Sequence, residues 1–250
     1  MKMIKRFINR TILEQLYYNF VNLFLFNDKP RKISRDGFCQ ISNIFPLHVI
    51  NLQKYLNYKD FNFVDDRKKI EKSDLKIVFS NLNKLGFIST LRDYLGNNIY
   101  CYDNTIRTLG NKISNNSTLQ PGETSSWQPH HDGKGKRVKI YIWLNKKNLN
   151  THPLFYIKGS HKVIKNWYKY EDTRYKDIDI VNFDKIYGDY GDIILFDTHG
   201  IHSHFKNSIV PRSVIELTFE GYGFFNRLNK SNISDEIRRL GMIKLDELII

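Results

Sequence analysis

Residues 191–204 read Gly-Asp-Ile-Ile-Leu-Phe-Asp-Thr-His-Gly-Ile-His-Ser-His. The apolar run 193–196 predicts a buried β-strand, because branched and aromatic side chains favour the extended backbone of a packed sheet. Three histidines follow this strand: His199, His202 and His204. Imidazole is the commonest metal ligand among protein side chains. The stretch therefore indicates a sheet that presents a metal-binding residue at the end of a strand.

A second group of ligand-type side chains lies upstream, in Pro129-His130-His131-Asp132-Gly133. In extended backbone, residues two apart point to the same side, so His130 and Asp132 can grip one ion while His131 points away. The third ligand must come from the downstream histidines. Two histidines and one carboxylate leave three open positions on an octahedral ion, as in non-haem iron oxygenases. His-x-Asp alone is common by chance, and the downstream context gives it weight.

Helical segments come first along the chain and strands follow. The alternation in residues 138–144 predicts a strand that turns Lys139, Tyr141 and Trp143 away from its aliphatic face. The polar segments 29–35 and 65–72 are predicted to be a link and a solvated surface. Predicted helices cover residues 4–26, 47–55, 73–85, 89–95 and 234–240, and predicted strands cover 37–45, 99–108, 138–144, 154–157, 193–196 and 214–219. This order predicts a mainly β, α+β domain built on a barrel or jelly roll.

Arg212 lies at the head of the predicted strand 214–219. A planar guanidinium can bind a carboxylate through two parallel hydrogen bonds. A metal site with an arginine nearby is the minimal arrangement for binding 2-oxoglutarate. On its own, Arg212 would be interpreted as a member of a surface ion pair.

The charge and cysteine content narrow the classes of partner. The formal net charge of +13 has two interpretations. It can result simply from a Lys- and Asn-rich composition, or it can serve to attract anionic partners. No zinc-finger spacing, RNA-binding aromatic motif or basic heptad helix occurs, so nucleic acid is not expected as a partner. Cys39 and Cys101 belong to no disulfide framework or metal motif. We therefore expect a reducing, cytoplasmic location.

Residues 1–30 are predicted to form an N-terminal helix that is basic at its start and apolar later. Glu14, Asn19 and Asn22 interrupt its apolar run, and no small-residue cleavage site follows. These features differ from a signal peptide and from a membrane-spanning helix. We expect the helix to pack on the domain. The alternative is a helix that lies on a membrane surface and gives peripheral membrane contact.

Four segments share, in order, the pattern of one enzyme family. They are Ser34–Phe38 with Ile44-Phe45-Pro46, Pro129–Asp132, Pro153–Lys162 with Gly-Ser-His at 159–161, and Gly191–Arg212 with Asn207 and Pro211. Over residues 34–220 the chain resembles the phytanoyl-CoA dioxygenase family of iron- and 2-oxoglutarate-dependent oxygenases. The resemblance implies a double-stranded β-helix, a cupin-like jelly roll with helices packed on one side. The implied domain covers residues 31–225, and a C-terminal helix over 226–250 packs on it.

The resemblance also implies an iron(II) centre, with 2-oxoglutarate and O2 as co-substrates. The iron ligands that it implies are His130, Asp132 and His202. The residues that it places around 2-oxoglutarate are Arg212, which would bind the far carboxylate, Trp143 and His204.

The chain departs from the family pattern at several positions. Lys158 replaces a usual proline, and His131 is unusual between the two ligands. His204 stands where some members carry a small hydroxyl residue. His199 and His204 compete with His202 as the third ligand, and the position of His202 in the closing segment favours it. His161 is expected to have a structural role in its turn.

Related halogenases lack the carboxylate ligand, so Asp132 implies hydroxylation of an unactivated carbon, with release of succinate and CO2. The substrate is expected to be a small molecule or lipid-like. The loop 111–126 and the insertion 163–185 are expected to frame its entrance. Two alternatives remain: a cupin-type metal enzyme that does not use 2-oxoglutarate, and a non-catalytic binding protein on the same scaffold.

Overall fold

A computed structural model describes the greater part of the chain. The described residues are 27–56, 65–109, 129–132, 137–147, 153–162, 178–204, 211–221 and 241–249. Several predictions fall outside this part of the chain. They concern the helix 4–26, the loop 111–126, most of the insertion 163–185, Asn207, and the closing helix up to residue 240.

Three α-helices lie on one side of the described domain: α1 (Asp28–Asp36), α2 (Lys72–Lys84) and α3 (Phe87–Leu95). In α2, Leu75, Val78 and Leu82 recur at helical spacing and are buried against the sheet. Helix α3 is capped at its C-terminal end by Gly96, and glycine is a common helix stop signal. None of the helices within the described ranges is long and apolar enough to cross a membrane.

The strands form two antiparallel sheets. The strands are β1 (Phe38–Ile41), β2 (Asp65–Lys69), β3 (Ile99–Leu109), β4 (Arg137–Trp143), β5 (Leu154–Tyr156), β6 (Asp184–Ile186), β7 (Ile193–Asp197), β8 (His202–Ser203), β9 (Arg212–Gly221) and β10 (Ile243–Lys244). In the described part of the chain, the larger sheet has the order β1-β7-β4-β9-β3-β10, with β2 also paired to β3. The smaller sheet has the order β6-β5-β8. The two sheets face each other, which is the arrangement of a jelly roll.

Strand β4 shows how the sequence divides the domain into layers. Val138, Ile140 and Ile142 join the core between the larger sheet and the helices. On the other face, Tyr141 and Trp143 join a second apolar cluster between the two sheets. The predicted alternation is thus confirmed. Burial of each large apolar side chain contributes about 1.5–3 kcal/mol, so a shift of one residue in register, which would exchange the faces, is strongly disfavoured.

Three segments differ from the prediction. Residues 29–35 belong to helix α1 and are not a link, because Pro30 lies in the first helical turn, where its missing N–H has no helical partner. Residues 65–69 form strand β2, whose backbone pairs with β3 although its side chains are polar. The segment 47–55 forms two short 3-10 helices, Leu47–Val49 and Leu52–Lys54, instead of one α-helix.

The predicted C-terminal helix over 226–250 coincides with the described residues only from 241 onward. There the chain forms β10 and a 3-10 helix, Leu245–Glu247, and not an α-helix. Residues Ile243 and Lys244 pair with Cys101 and Tyr100 of β3. The end of the chain therefore adds an edge strand to the larger sheet.

Candidate metal centre

His130, Asp132 and His202 converge between the two sheets. One ligand atom of each lies within 4.8 Å of the other two. Oδ1 of Asp132 is 3.6 Å from Nε2 of His130 and 4.0 Å from Nε2 of His202. Two imidazole nitrogens and one carboxylate oxygen thus surround a single point, which is the ligand set of non-haem iron sites.

Backbone pairing brings these residues together from distant parts of the sequence. His130 and His202 exchange two backbone hydrogen bonds, of 2.9 and 2.8 Å, and the N–H of Asp132 donates to the carbonyl of Thr198 at 2.7 Å. The segment 129–132 therefore pairs with β8 at His130 and with the preceding turn at Asp132. Its alternation turns His131 away, and the His131 ring instead packs edge-on against His199, with ring centroids 5.6 Å apart.

The ring of His202 is fixed by a backbone carbonyl. Its Nδ1 lies 2.9 Å from the carbonyl oxygen of Gly200. A carbonyl only accepts, so Nδ1 carries the proton and the lone pair of Nε2 faces Asp132. Burial, and next the neighbouring His130, lower the pKa of His202 to about 3, although Asp132 acts in the opposite direction. His202 is therefore neutral near pH 7, as a metal ligand must be.

The two competing histidines point elsewhere. His199 lies against His131. A ring nitrogen of His204 is 3.3 Å from a guanidinium nitrogen of Arg212. Burial, and next the charge of Arg212, hold the pKa of His204 well below its usual value. The structure thus brings His202, and neither of these, to His130 and Asp132.

Arg212 is buried at the start of β9, with 1% of its surface exposed. Its guanidinium carbon lies 5.4 Å from the centre of the Tyr141 ring. Tyr141 in turn stacks with His204 and meets the edge of Trp143, with ring centroids 6.3 and 6.2 Å apart. Trp143 covers the backbone of Gly188, where an added Cβ would collide with the indole. Arg212, His204 and Tyr141 therefore form one aromatic and cationic group, with Trp143 beside it.

Four ionised side chains form a row that leads to the metal centre; we call it the charge chain. Lys139 Nζ lies 2.8 Å from Asp132 Oδ2 and 3.6 Å from Glu216 Oε1. Glu216 Oε2 lies 3.0 Å from a guanidinium nitrogen of Arg107. Lys139, Glu216 and Arg107 were not anticipated as site residues. The available signal was the presence of charged residues on the inner faces of strands that are otherwise apolar.

The charge chain keeps both of its carboxylates ionised. Burial acts to raise the pKa of Asp132, but Lys139 and then His202 and His130 outweigh it and hold that pKa well below its usual value. Burial likewise opposes ionisation of Glu216, yet Arg107 and Lys139 lower its pKa to about 2. The Lys139 ammonium loses hydration on burial, but the charges of Asp132 and Glu216 raise its pKa. Asp132 is thus a carboxylate, the form that binds a cation.

Comparison with solved structures identifies the architecture. No protein-family model matches the sequence, and neither does any curated protein sequence. The chain is similar to the non-haem α-ketoglutarate-dependent epimerase SnoN from nogalamycin biosynthesis, solved with Fe3+, α-ketoglutarate and nogalamycin RO, at 10% identity over 77% of this chain and 82% of SnoN, with a TM-score of 0.52. It is also similar to HygX from Streptomyces hygroscopicus, solved with nickel, 2-oxoglutarate and hygromycin B, at 16% identity over 80% of this chain and 89% of HygX, with a TM-score of 0.51.

The chain has the double-stranded β-helix fold. This confirms the predicted fold class. At 10% and 16% identity the likeness concerns the fold, and the roles of individual residues rest on the geometry of this chain.

The Gly-Ser-His turn of the double-stranded β-helix braces the centre from outside. His161 Nε2 lies 2.9 Å from the carbonyl of Ser34, near the end of α1. Ser160 Oγ accepts a hydrogen bond of 2.7 Å from the N–H of Ile201, next to His202. Gly37 adopts φ +90° and lies so close to His161 that a Cβ would collide with its ring, which restricts this position to glycine. The Gly-Ser-His turn thus contacts α1 through His161 and the turn that precedes β8 through Ser160.

Proposed function

We propose that the protein is an iron(II)- and 2-oxoglutarate-dependent dioxygenase that hydroxylates an unactivated carbon and releases succinate and CO2. The observation that carries this proposal is the convergence of His130, Asp132 and His202 in the interior that also contains Arg212. The substrate is a small molecule or a lipid-like molecule.

The donor set fits ferrous iron. Two neutral imidazoles and one ionised carboxylate would hold the ion on one side and leave three positions for a bidentate co-substrate and O2. Bound iron supplies the oxidation chemistry, and the protein supplies binding, orientation and exclusion of water. The carboxylate of Asp132 completes the protein ligands, which favours hydroxylation over halogenation.

Arg212 is assigned to the far carboxylate of 2-oxoglutarate. Its guanidinium is buried, and a charge-assisted pair of hydrogen bonds is strong in such surroundings. His204 and Tyr141 both contact this guanidinium, the first through a ring nitrogen at 3.3 Å and the second through its ring, whose centre is 5.4 Å from the guanidinium carbon. Trp143 extends the apolar wall beside Tyr141, so we assign it to packing along the co-substrate. These residues would orient 2-oxoglutarate and keep water away from it.

The structural neighbours support this assignment. SnoN and HygX share the fold and were solved with 2-oxoglutarate and a metal ion. Each was also solved with a small molecule, nogalamycin RO or hygromycin B, which favours a small-molecule substrate here. Membership of the phytanoyl-CoA dioxygenase family is part of the same proposal and rests on the four ordered segments.

Anaerobic titration with iron(II) and 2-oxoglutarate tests the proposal. We expect the visible charge-transfer absorption of a metal-bound 2-oxo acid, and we expect His130→Ala to abolish it. Iron binding without this absorption would favour a cupin-type enzyme that does not use 2-oxoglutarate. Absence of iron binding would favour a non-catalytic binding protein. A screen for substrate-dependent succinate release then identifies the substrate.

A further inference from the structure

The two oxygens of Asp132 face different partners. Oδ1 faces the histidines, 3.6 Å from His130 Nε2 and 4.0 Å from His202 Nε2. Oδ2 lies 2.8 Å from Lys139 Nζ, a distance typical of a charge-assisted hydrogen bond. These two sets of partners fix the plane of the carboxylate.

We propose that Lys139 is a positioning residue that makes Asp132 a one-oxygen metal ligand, with Oδ1 as the ligand atom. The inference rests on the proposed metal centre and adds a residue to it. By occupying Oδ2, Lys139 prevents Asp132 from turning both oxygens towards the ion. This leaves more of the coordination sphere to the co-substrate and O2.

Lys139 can do this because its own position is fixed. It lies on β4, which is hydrogen-bonded to β7 on one side and β9 on the other. Its ammonium also contacts Glu216 Oε1 at 3.6 Å, and Arg107 holds the other oxygen of Glu216 at 3.0 Å. Its side chain is only 14% exposed, so water competes little for the ammonium.

A positioning role and a purely electrostatic role of Lys139 predict opposite changes in metal affinity when Lys139 is removed. A buried cation close to the centre repels a divalent ion, so loss of its charge alone would tighten metal binding. Loss of an outer partner that orients a ligand weakens metal binding, by about 10- to 100-fold in known sites. The direction of the change therefore distinguishes the two roles.

The test uses the metal-free full-length protein titrated with cobalt(II), followed by the visible absorption of the bound ion. We expect Lys139→Met to weaken binding by about 10- to 100-fold. Lys139→Gln retains a donor for Oδ2 and is expected to recover most of this loss. In Lys139→Met/Glu216→Gln the net charge of the site equals that of the wild type, and binding is expected to stay weak. Arg137→Met removes a cation of the same strand whose charge also acts on Asp132 but which pairs with Glu220 at 3.0 Å, and it is expected not to weaken cobalt binding.

Tighter or unchanged binding in Lys139→Met would overturn the inference, and so would wild-type binding in the charge-matched double variant. A wild type that binds no cobalt, or a His130→Ala variant that binds it normally, would instead refute the metal centre itself. A measurement on the wild type covers the case in which Lys139→Met does not fold. A crystal structure of the cobalt-loaded wild type should show only Oδ1 of Asp132 bonded to the ion, with Oδ2 still hydrogen-bonded to Lys139. Both oxygens bonded to the ion would contradict the inference.

Discussion

The hydroxyl of Tyr156 donates a hydrogen bond of 2.8 Å to the backbone carbonyl of Asp197. Tyr156 belongs to the smaller sheet and Asp197 to the end of β7 in the larger one, so the bond ties the two sheets together where the turn to His202 begins. The Tyr156 ring also lies directly against Gly200, where an added Cβ would collide with the phenol. The carbonyl of Gly200 in turn orients His202.

Gly200→Ala is therefore expected to disturb both the packing and the metal centre. Overpacking of a filled interior costs about 1–3 kcal/mol, and the displaced carbonyl would no longer hold His202. Urea unfolding should show the loss of stability, and cobalt titration should show weaker binding. The control, Tyr156→Phe, removes only the hydrogen bond and should cost about 1 kcal/mol with metal binding retained. A Gly200→Ala variant as stable as the wild type would refute this packing argument.

Divalent metal should stabilise the protein through His202 and not through His199. An ion at about 100 times its dissociation constant adds roughly 2.7 kcal/mol to the free energy of unfolding. We expect this increase in the wild type and in His199→Ala, and we expect none in His202→Ala. The exposed His48 provides a second control, since His48→Ala should respond as the wild type does. Thermal unfolding with and without cobalt measures the effect. If only His199→Ala loses the response, His199 is the metal ligand and His202 is not.

Much of the layered fold could be predicted from local pattern. The alternation in β4 predicted both of its faces, since one face packs on helices and the other on aromatic side chains. Strand β2 was missed because Asp65–Lys69 has no apolar periodicity, and only its pairing with β3 makes it a strand. Helix α1 was missed because the segment 29–35 is polar and contains Pro30, although a proline is tolerated in a first turn.

The candidate site, too, could be predicted only where local sequence determines the geometry. His130 and Asp132 could be paired from their spacing alone, because extended backbone fixes the relative direction of residues two apart. Choosing His202 over its neighbours required the family pattern. Charged residues on otherwise apolar strands were a visible signal, but the pairing within the charge chain could not be predicted, because Lys139, Glu216 and Arg107 lie on three strands whose register is set by tertiary packing. Nothing local in the sequence specifies that register.

The metal-free protein should lose stability on mild acidification. His202, with a pKa of about 3, and His204, whose pKa is also lowered, stay neutral in the fold. In the unfolded chain a histidine titrates near 6.5. Below that pH the unfolded state binds more protons, so the free energy of unfolding falls as pH decreases, by up to about 1.4 kcal/mol per pH unit for each group. The stability contributed by these two neutral histidines is fully present above about pH 6.5.

Urea unfolding between about pH 5 and 7 measures this slope, since Asp and Glu in the unfolded chain are largely ionised throughout that range. We expect His204→Gln to reduce the slope by the contribution of one group, because glutamine does not titrate. An unchanged slope in this variant would show that His204 takes up a proton in the fold.

The buried pair of Arg107 and Glu216 should contribute far more than an exposed pair of equal length. Both pairs have a nitrogen–oxygen distance of 3.0 Å, but Glu216 is fully buried, while the side chains of Arg92 and Asp246 are 44% and 48% exposed. Glu216→Gln leaves a buried cation without its counter-charge and should cost about 3–5 kcal/mol. Asp246→Asn should cost less than about 1 kcal/mol. The double variant Arg107→Met/Glu216→Gln should lose less stability than the two single variants lose together, as measured by a double-mutant cycle. If the two losses simply add, the side chains do not interact and the pairing is contradicted.

Arg212 should determine the affinity for 2-oxoglutarate without affecting the affinity for metal. Loss of a hydrogen bond to a charged group costs about 1.5–3 kcal/mol, which corresponds to roughly a 10- to 100-fold weaker affinity. We expect Arg212→Met to weaken 2-oxoglutarate binding by at least this factor, while cobalt binding stays at the wild-type level. Arg212→Lys keeps the charge but loses the planar fork, so its affinity should lie between the two. Anaerobic titration of the iron(II)-loaded proteins with 2-oxoglutarate, followed by charge-transfer absorption, measures these three affinities. Equal affinity in all three proteins would place the far carboxylate elsewhere, and Arg107 would become the next guanidinium to test, because it shares contact with Tyr141.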